Sequence, residues 1–169
     1  MKMNKKTKAT FEKNRKETSI KSMYFNRYLL VRYASALFFF SNLYWFFYLI
    51  TSRSWTFVIP LLMMIIILIS VAEQVKMYGN HSNNAKYTFY CFRILTGVNL
   101  LIIPIVLFTP MFEQLYPFMI NQYASRLLII CVLAVGILIS GFILFRLNNI
   151  RQDKDWHYKR LKKFENAMN

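Results

Sequence analysis

Four long apolar runs organise the chain, at 33–50, 55–72, 87–108 and 127–145, and between and around them lie short polar or charged segments. The only Lys, Arg, Asp or Glu inside any run is Arg93. An α-helix needs about 20 mostly apolar residues to cross the hydrocarbon core of a bilayer, so each run predicts a transmembrane helix. In lipid such a segment must satisfy its own backbone donors and acceptors, which a helix does. The predicted fold class is therefore all-α: a polytopic membrane protein of four transmembrane helices arranged as two hairpins.

The connections set the pairing. Residues 51–54 leave room only for a tight turn, so the first two helices form an antiparallel hairpin. Pro60 falls about one turn inside the second run, where a missing amide donor is tolerated. Residues 73–86 form a central loop whose Gly79, Asn80, His81, Ser82, Asn83 and Asn84 are turn formers. The third run contains Pro104 and ends before Pro110. Residues 109–125 are mostly apolar, with Glu113 as their only charge, and are expected to lie at the membrane interface.

The flanks differ sharply from the runs. Residues 1–32 carry ten Lys and Arg against Glu12 and Glu17, and up to Lys16 the pattern reads as a flexible basic segment. From Ser19 onward, Ile20, Tyr24, Tyr28 and Val31 recur at helical spacing, with Lys21 and Arg27 on other faces. Two readings stand there: an amphipathic helix along the membrane surface, or the solvated start of the first span. Residues 146–169 form a second basic segment in which Leu161, Phe164 and Met168 keep helical spacing, predicting that the fourth helix runs on.

Charge then adds orientation. Of 22 Lys and Arg, ten lie in 1–32, two (Lys76 and Lys86) in the central loop and seven in the tail, whereas Arg53 and Arg126 stand on the opposite side. Positively charged loops are retained in the cytoplasm, so both termini are expected inside. Thirty-two residues precede the first run, and Ala34-Ser35-Ala36 lies at its start, so an uncleaved anchor is expected rather than a signal peptide. The 56% hydrophobic content and the placement of the basic residues beside apolar runs argue for a membrane rather than nucleic acid as partner. The basic ends suit anionic headgroups, at up to about 1 kcal/mol per Lys or Arg near the surface. Topology alone also accounts for them.

Candidate chemistry is sparse. Arg93, inside the third span, is a functional candidate by its position, with Glu73 at the end of the second span as its expected partner and Arg32 at the base of the first beside them. The alternative is that Arg93 and Arg32 snorkel to the headgroups. Asn42 and Asn99 fall near mid-membrane, where an amide seeks a hydrogen-bonding partner. They are expected to face other helices, as packing groups or as the lining of a path. Gly136 and Ser140 form a small-xxx-small pair, widened by Gly141, which marks either an internal packing face or a partner face.

Cys91 and Cys131 fall toward opposite faces of the membrane, so no disulfide is expected. His81 and His157 are the only histidines, and neither has the spacing of a zinc site or a neighbouring nucleophile. Asp153, four residues before His157, suggests a surface ion pair on a helix. Four glycines in the whole chain leave no phosphate-cradling loop, and no acid lies deep in a span, as ion-coupled carriers usually require. No catalytic, cofactor or metal residues are therefore assigned.

The segment KKTKATFEKNRKE at 5–17 and the stretch 24–33 entering the first span resemble small uncharacterised four-span membrane proteins of Gram-positive bacteria, sometimes labelled as a cellobiose phosphotransferase subunit. The resemblance extends over the whole chain and carries no chemical motif. A soluble phosphotransferase subunit of that class is a helical bundle with a phosphate-accepting histidine in a packed surface, a setting that His81 and His157 lack. The expectation from all of this is a non-enzymatic accessory or interaction protein of a larger envelope or transport assembly, with a protein partner or a homo-oligomer. Two alternatives remain: a small oligomeric transporter or channel component built around Asn42, Asn99 and Arg93, and a membrane protein conferring immunity to a toxin.

Overall fold

The computed structural model describes residues 5–77 and 84–156, with residues 158, 160 and 162. Every regular element among them is helical: α1 (Lys5–Asn26), α2 (Leu29–Thr51), a 3-10 turn (Trp55–Phe57), α3 (Val58–Lys76), α4 (Lys86–Phe108), α5 (Phe112–Leu115) and α6 (Tyr123–Arg151). Four helical segments are long and apolar enough to cross a membrane: Leu29–Thr51, Trp55–Lys76, Lys86–Phe108 and Tyr123–Arg151. At 1.5 Å per residue the shortest, of 22 residues, is about 33 Å long, enough for a hydrocarbon core of about 30 Å. Only 22–33% of their most apolar stretches is buried inside the protein. Leu101, Leu138 and Phe108 stand outward, a surface suited to lipid.

Each span exceeds its expected length. Helix α2 starts at Leu29 rather than 33, and α6 runs from Tyr123 to Arg151 rather than over 127–145, because Leu29, Leu30, Ala124, Arg126, Arg146 and Leu147 are good helix formers once the apolar core has nucleated the helix. The N-terminal segment differs more. One helix covers Lys5–Asn26, including the part expected to be flexible up to Lys16. The stretch holds no Gly or Pro, and Lys, Arg, Glu and Ala favour helix. It ends in a turn at Arg27 and Tyr28 before α2 begins.

The four spans pack in chain order, α2 on α3, α3 on α4 and α4 on α6, and the return seam from α6 to α2 is the loosest. Pro60 sits in the first turn of α3, where its missing donor matters least. The core has two storeys. One, toward the chain termini, contains Val31, Phe38, Ile67, Phe92, Leu95 and Ile143. The other contains Ile102, Val106, Phe112, Leu115, Tyr116 and Leu133.

Hydrogen bonds tie three of the seams. Gln74 donates to Ser35 Oγ (3.2 Å) and Ser70 Oγ (3.1 Å), joining α3 to α2. Thr96 Oγ1 lies 2.7 Å from Ser140 Oγ, joining α4 to α6. Glu73 bridges α3 to α4: its carboxylate accepts from the backbone N–H groups of Tyr87 (3.1 Å) and Thr88 (2.7 Å) and from Thr88 Oγ1 (2.8 Å). It thereby satisfies donors that a helix N-terminus leaves open, at the positive end of the helix dipole.

At the other end, residues 109–122 fold over the bundle. Phe112, Leu115 and Tyr116 are buried. Trp45 Nε1 donates to Leu115 O at 2.8 Å, Ser54 Oγ and Thr56 Oγ1 donate to Gln114 O, and Arg126 reaches the carbonyls of Val106 and Leu107. The segment is a cap whose apolar side chains enter the core.

Candidate functional site: a polar cavity in the open seam

Helix α2 brings an aromatic run, Phe38-Phe39-Phe40, followed by Ser41 and Asn42, to the middle of the bundle. Helix α4 brings Asn99 to the same level, and α6 brings Gly136. Phe38, Ser41, Asn42, Asn99 and Gly136 line a cavity of about 320 Å³ together with Leu37, Trp45, Tyr116 and apolar side chains of α6. It lies on the α2–α6 side, at the junction between the two core storeys. No hydrogen bond joins α2 to α6 among the described residues.

The polar groups here are incompletely matched. Asn42 is 9% exposed, and its Nδ2 donates to Phe38 O within α2 at 2.8 Å, which leaves its Oδ1 without a donor among the described residues. Asn99 forms no side-chain hydrogen bond with a described residue, and its Nδ2 lies 2.8 Å from the point where a Cβ on residue 136 would stand. Glycine at 136 is what lets that amide approach the α6 backbone. Tyr116 is 6% exposed, its ring stacks on Trp45 (centroids 5.5 Å, planes 10° apart), and its hydroxyl also lacks a partner among the described residues. An amide or hydroxyl in an apolar medium without a hydrogen bond carries a penalty of about 1–3 kcal/mol on mutational evidence. The cavity is thus apolar-walled with a few convergent polar groups, the ordinary make-up of a binding site.

The expected helix-packing residues come together in part. Asn42, Asn99 and Gly136 share this cavity. Ser140, one turn along α6, faces α4 through Thr96. Ser140 therefore faces the interior of the bundle, Gly136 borders the open seam, and Gly141 meets nothing within 4 Å on its own side of the helix.

Arg32, Glu73 and Arg93 do not form one cluster. Glu73 is taken by the first turn of α4, because the open N–H groups there stand closer than Arg93 does. Arg32 turns back to the carbonyl of Phe25 and stacks over the Phe25 ring. Arg93 lines a different pocket, with Lys86 and Arg151.

A fully buried arginine was not foreseen. Arg27, 0% exposed, sits in the turn between α1 and α2 and binds both oxygens of Asp155, Asp153 Oδ1 (2.9 Å) and Ile150 O (3.3 Å), with the Tyr158 ring 5.0 Å away. Burial works against its charge, but the two carboxylates more than offset this and raise its pKa above the ordinary arginine value. Asp153, at φ 52, turns the chain after α6 back toward Arg27. Sequence held a signal for this: an even number of spans returns the last helix to the side of the first, where Asp153 and Asp155 are the tail's first acids. Asp153 thus faces Arg27. The central loop is shorter than the expected 73–86, since α3 runs on to Lys76 and α4 starts at Lys86; residues 78–83 with His81, the expected pairing with His157, and the helical spacing of Leu161, Phe164 and Met168 lie outside the described residues.

No protein-family model, curated protein or solved structure matches the chain.

Proposed function

We propose that this chain is a non-enzymatic, multi-pass accessory protein of the cell membrane that holds a transmembrane partner of a larger envelope or transport assembly along its α2–α6 seam. The observation that carries the reading is the set of unmatched polar groups, Asn99, Asn42 Oδ1 and the Tyr116 hydroxyl, in a cavity on the loosest face of the bundle. A partner helix presenting an amide or hydroxyl side chain there supplies the missing hydrogen bonds, in a medium where lipid tails cannot. These amides and hydroxyls are not ionised at neutral pH, which fits them to hydrogen bonding rather than proton transfer. Both termini lie in the cytoplasm on this reading, supported by the excess of Lys and Arg at that end. Arg27 gripping Asp153 and Asp155 is consistent with a common side for the two flanks.

The test is extraction in mild detergent followed by native mass spectrometry. A stoichiometric complex is expected from the wild type and its loss from Asn99→Leu. A solitary monomer from both, with a measurable turnover, contradicts the reading. A second reading, a solute path formed on oligomerisation, draws on the same meeting of Asn42 and Asn99. Liposome flux that Asn99→Leu abolishes would favour it, and absence of flux from the wild type removes it.

A further inference from the structure

At the end of the bundle that holds Arg27, the acids with described side chains are engaged: Asp153 and Asp155 bind Arg27, and Glu73 caps α4. Glu113, at the opposite end, accepts from Asn121. Three cations remain around one pocket of about 420 Å³: Lys86 and Arg93, two turns apart on α4, and Arg151 at the end of α6. Among the described residues none of the three pairs with a carboxylate. Glu73 faces the adjoining pocket with Lys76, beyond Asn84.

Tyr28 completes the wall. It is 6% exposed, and its hydroxyl is buried with no hydrogen-bond partner. Burial pushes that hydroxyl up to about 12, so it remains a proton donor at any physiological pH. A buried donor lacking an acceptor is unfavourable, and so is a ring of like charges. An anion relieves both.

We propose that this pocket binds a phosphate-ester oxyanion, held by Lys86, Arg93, Arg151 and the Tyr28 hydroxyl, and that the ester is the headgroup of an anionic phospholipid. Guanidinium groups match phosphate oxygens in paired hydrogen bonds. The lipid source follows from depth and lining. Arg93 lies about 10 Å along α4 from Lys86, within the span, and Phe89 and Leu147 border the pocket with apolar surface suited to an acyl chain. Basic pockets between transmembrane helices are a recurrent form of headgroup recognition. This is a discrete site, separate from the diffuse attraction of the basic flanks.

The test is native mass spectrometry of the full chain titrated with phosphatidylglycerol, with phosphatidylcholine as the zwitterionic counterpart and millimolar inorganic phosphate as the soluble competitor. Phosphatidylglycerol is expected to be retained about tenfold more strongly than phosphatidylcholine, with Arg93→Gln or Arg151→Gln each weakening it about tenfold, the scale of one charge-assisted hydrogen bond. Arg93→Lys should recover part of the loss. Tyr28→Phe keeps the buried ring and should weaken binding about threefold, in line with one neutral hydrogen bond. Lys21→Gln removes the same charge from α1 outside the pocket and should change binding less than about twofold. Equal retention of the two lipids, or an equal loss from Lys21→Gln and Arg93→Gln, overturns the site. Displacement of the lipid by inorganic phosphate overturns the lipid source and reassigns the pocket to a soluble phosphate ester. If Arg93→Gln fails to fold, Arg151→Gln and Tyr28→Phe decide.

Discussion

Helix α6 meets α4 and α2 in opposite ways, and the contrast separates what holds this bundle together from what it offers to others. Against α4, a hydroxyl answers a hydroxyl: Thr96 Oγ1 and Ser140 Oγ are 2.7 Å apart, so one donates to the other, and the accepting hydroxyl keeps its own proton for a carbonyl of its helix, Phe92 O or Ile137 O. Toward α2, one turn away, the seam opens into a cavity bordered by Gly136, where Asn42 Oδ1 of α2, the Asn99 amide reaching in from α4 and the Tyr116 hydroxyl of the cap all lack a hydrogen-bond partner among the described residues. In lipid there is little hydrophobic drive to close a helix–helix seam, so packing and polar matching decide which seams are tight. The α4–α6 seam has both. The α2–α6 seam is fastened chiefly at its end, by Arg27.

The largest effect should come from releasing that clasp. Arg27→Ala strands the buried carboxylate of Asp155 and is expected to reduce stability by about 3–5 kcal/mol, as removal of one partner of a buried ion pair does, measured by denaturant titration in detergent. A loss below about 1 kcal/mol would mean that the open seam holds without its clasp. Next is Glu73→Ala, which strips the first turn of α4 of its acceptor and should lower stability by about 1–2 kcal/mol in the same titration. Breaking the closed seam with Ser140→Ala should have a smaller effect, about 0.6 kcal/mol and no more than about 1.7, with a double-mutant cycle against Thr96→Val showing coupling of that size. The smallest effect on stability belongs to the open seam. Asn99→Leu removes an amide that no described residue satisfies, so stability should fall by no more than about 0.5 kcal/mol and is free to rise, while partner retention is lost. A large destabilisation by Asn99→Leu would erase the distinction between the two seams.

The four spans were legible because about 20 residues of unbroken hydrophobicity is a strong signal, and the first hairpin followed from a four-residue connection at 51–54. Asn42, Asn99 and Gly136 were legible individually, since polar or small residues stand out in apolar runs, but their meeting in one cavity depends on the rotation of three helices. Glu73 shows the limit of pairing charges by depth: a carboxylate near a helix N-terminus bonds the nearest open N–H groups before a distant guanidinium. Arg27 was hidden for a related reason. In a segment with ten Lys and Arg, nothing local distinguishes the one that is buried, and its partners lie 126 and 128 residues away. The helix over Lys5–Asn26 extends N-terminal to Ser19, where the high charge pointed to a flexible segment, because the stretch holds no Gly or Pro and is rich in helix-forming Lys, Arg and Glu.

The α2–α6 seam as a partner site is tested most directly by photocrosslinking in native membranes, with a photoreactive residue placed at Leu37 or Val135, which border the cavity, and at Leu62 on α3, an exposed control. One protein adduct of defined mass is expected from Leu37 and Val135, absent from Leu62 and lost when Asn99→Leu is added. Lipid adducts alone at all three positions, or the same protein adducts from Leu62, would contradict the assignment.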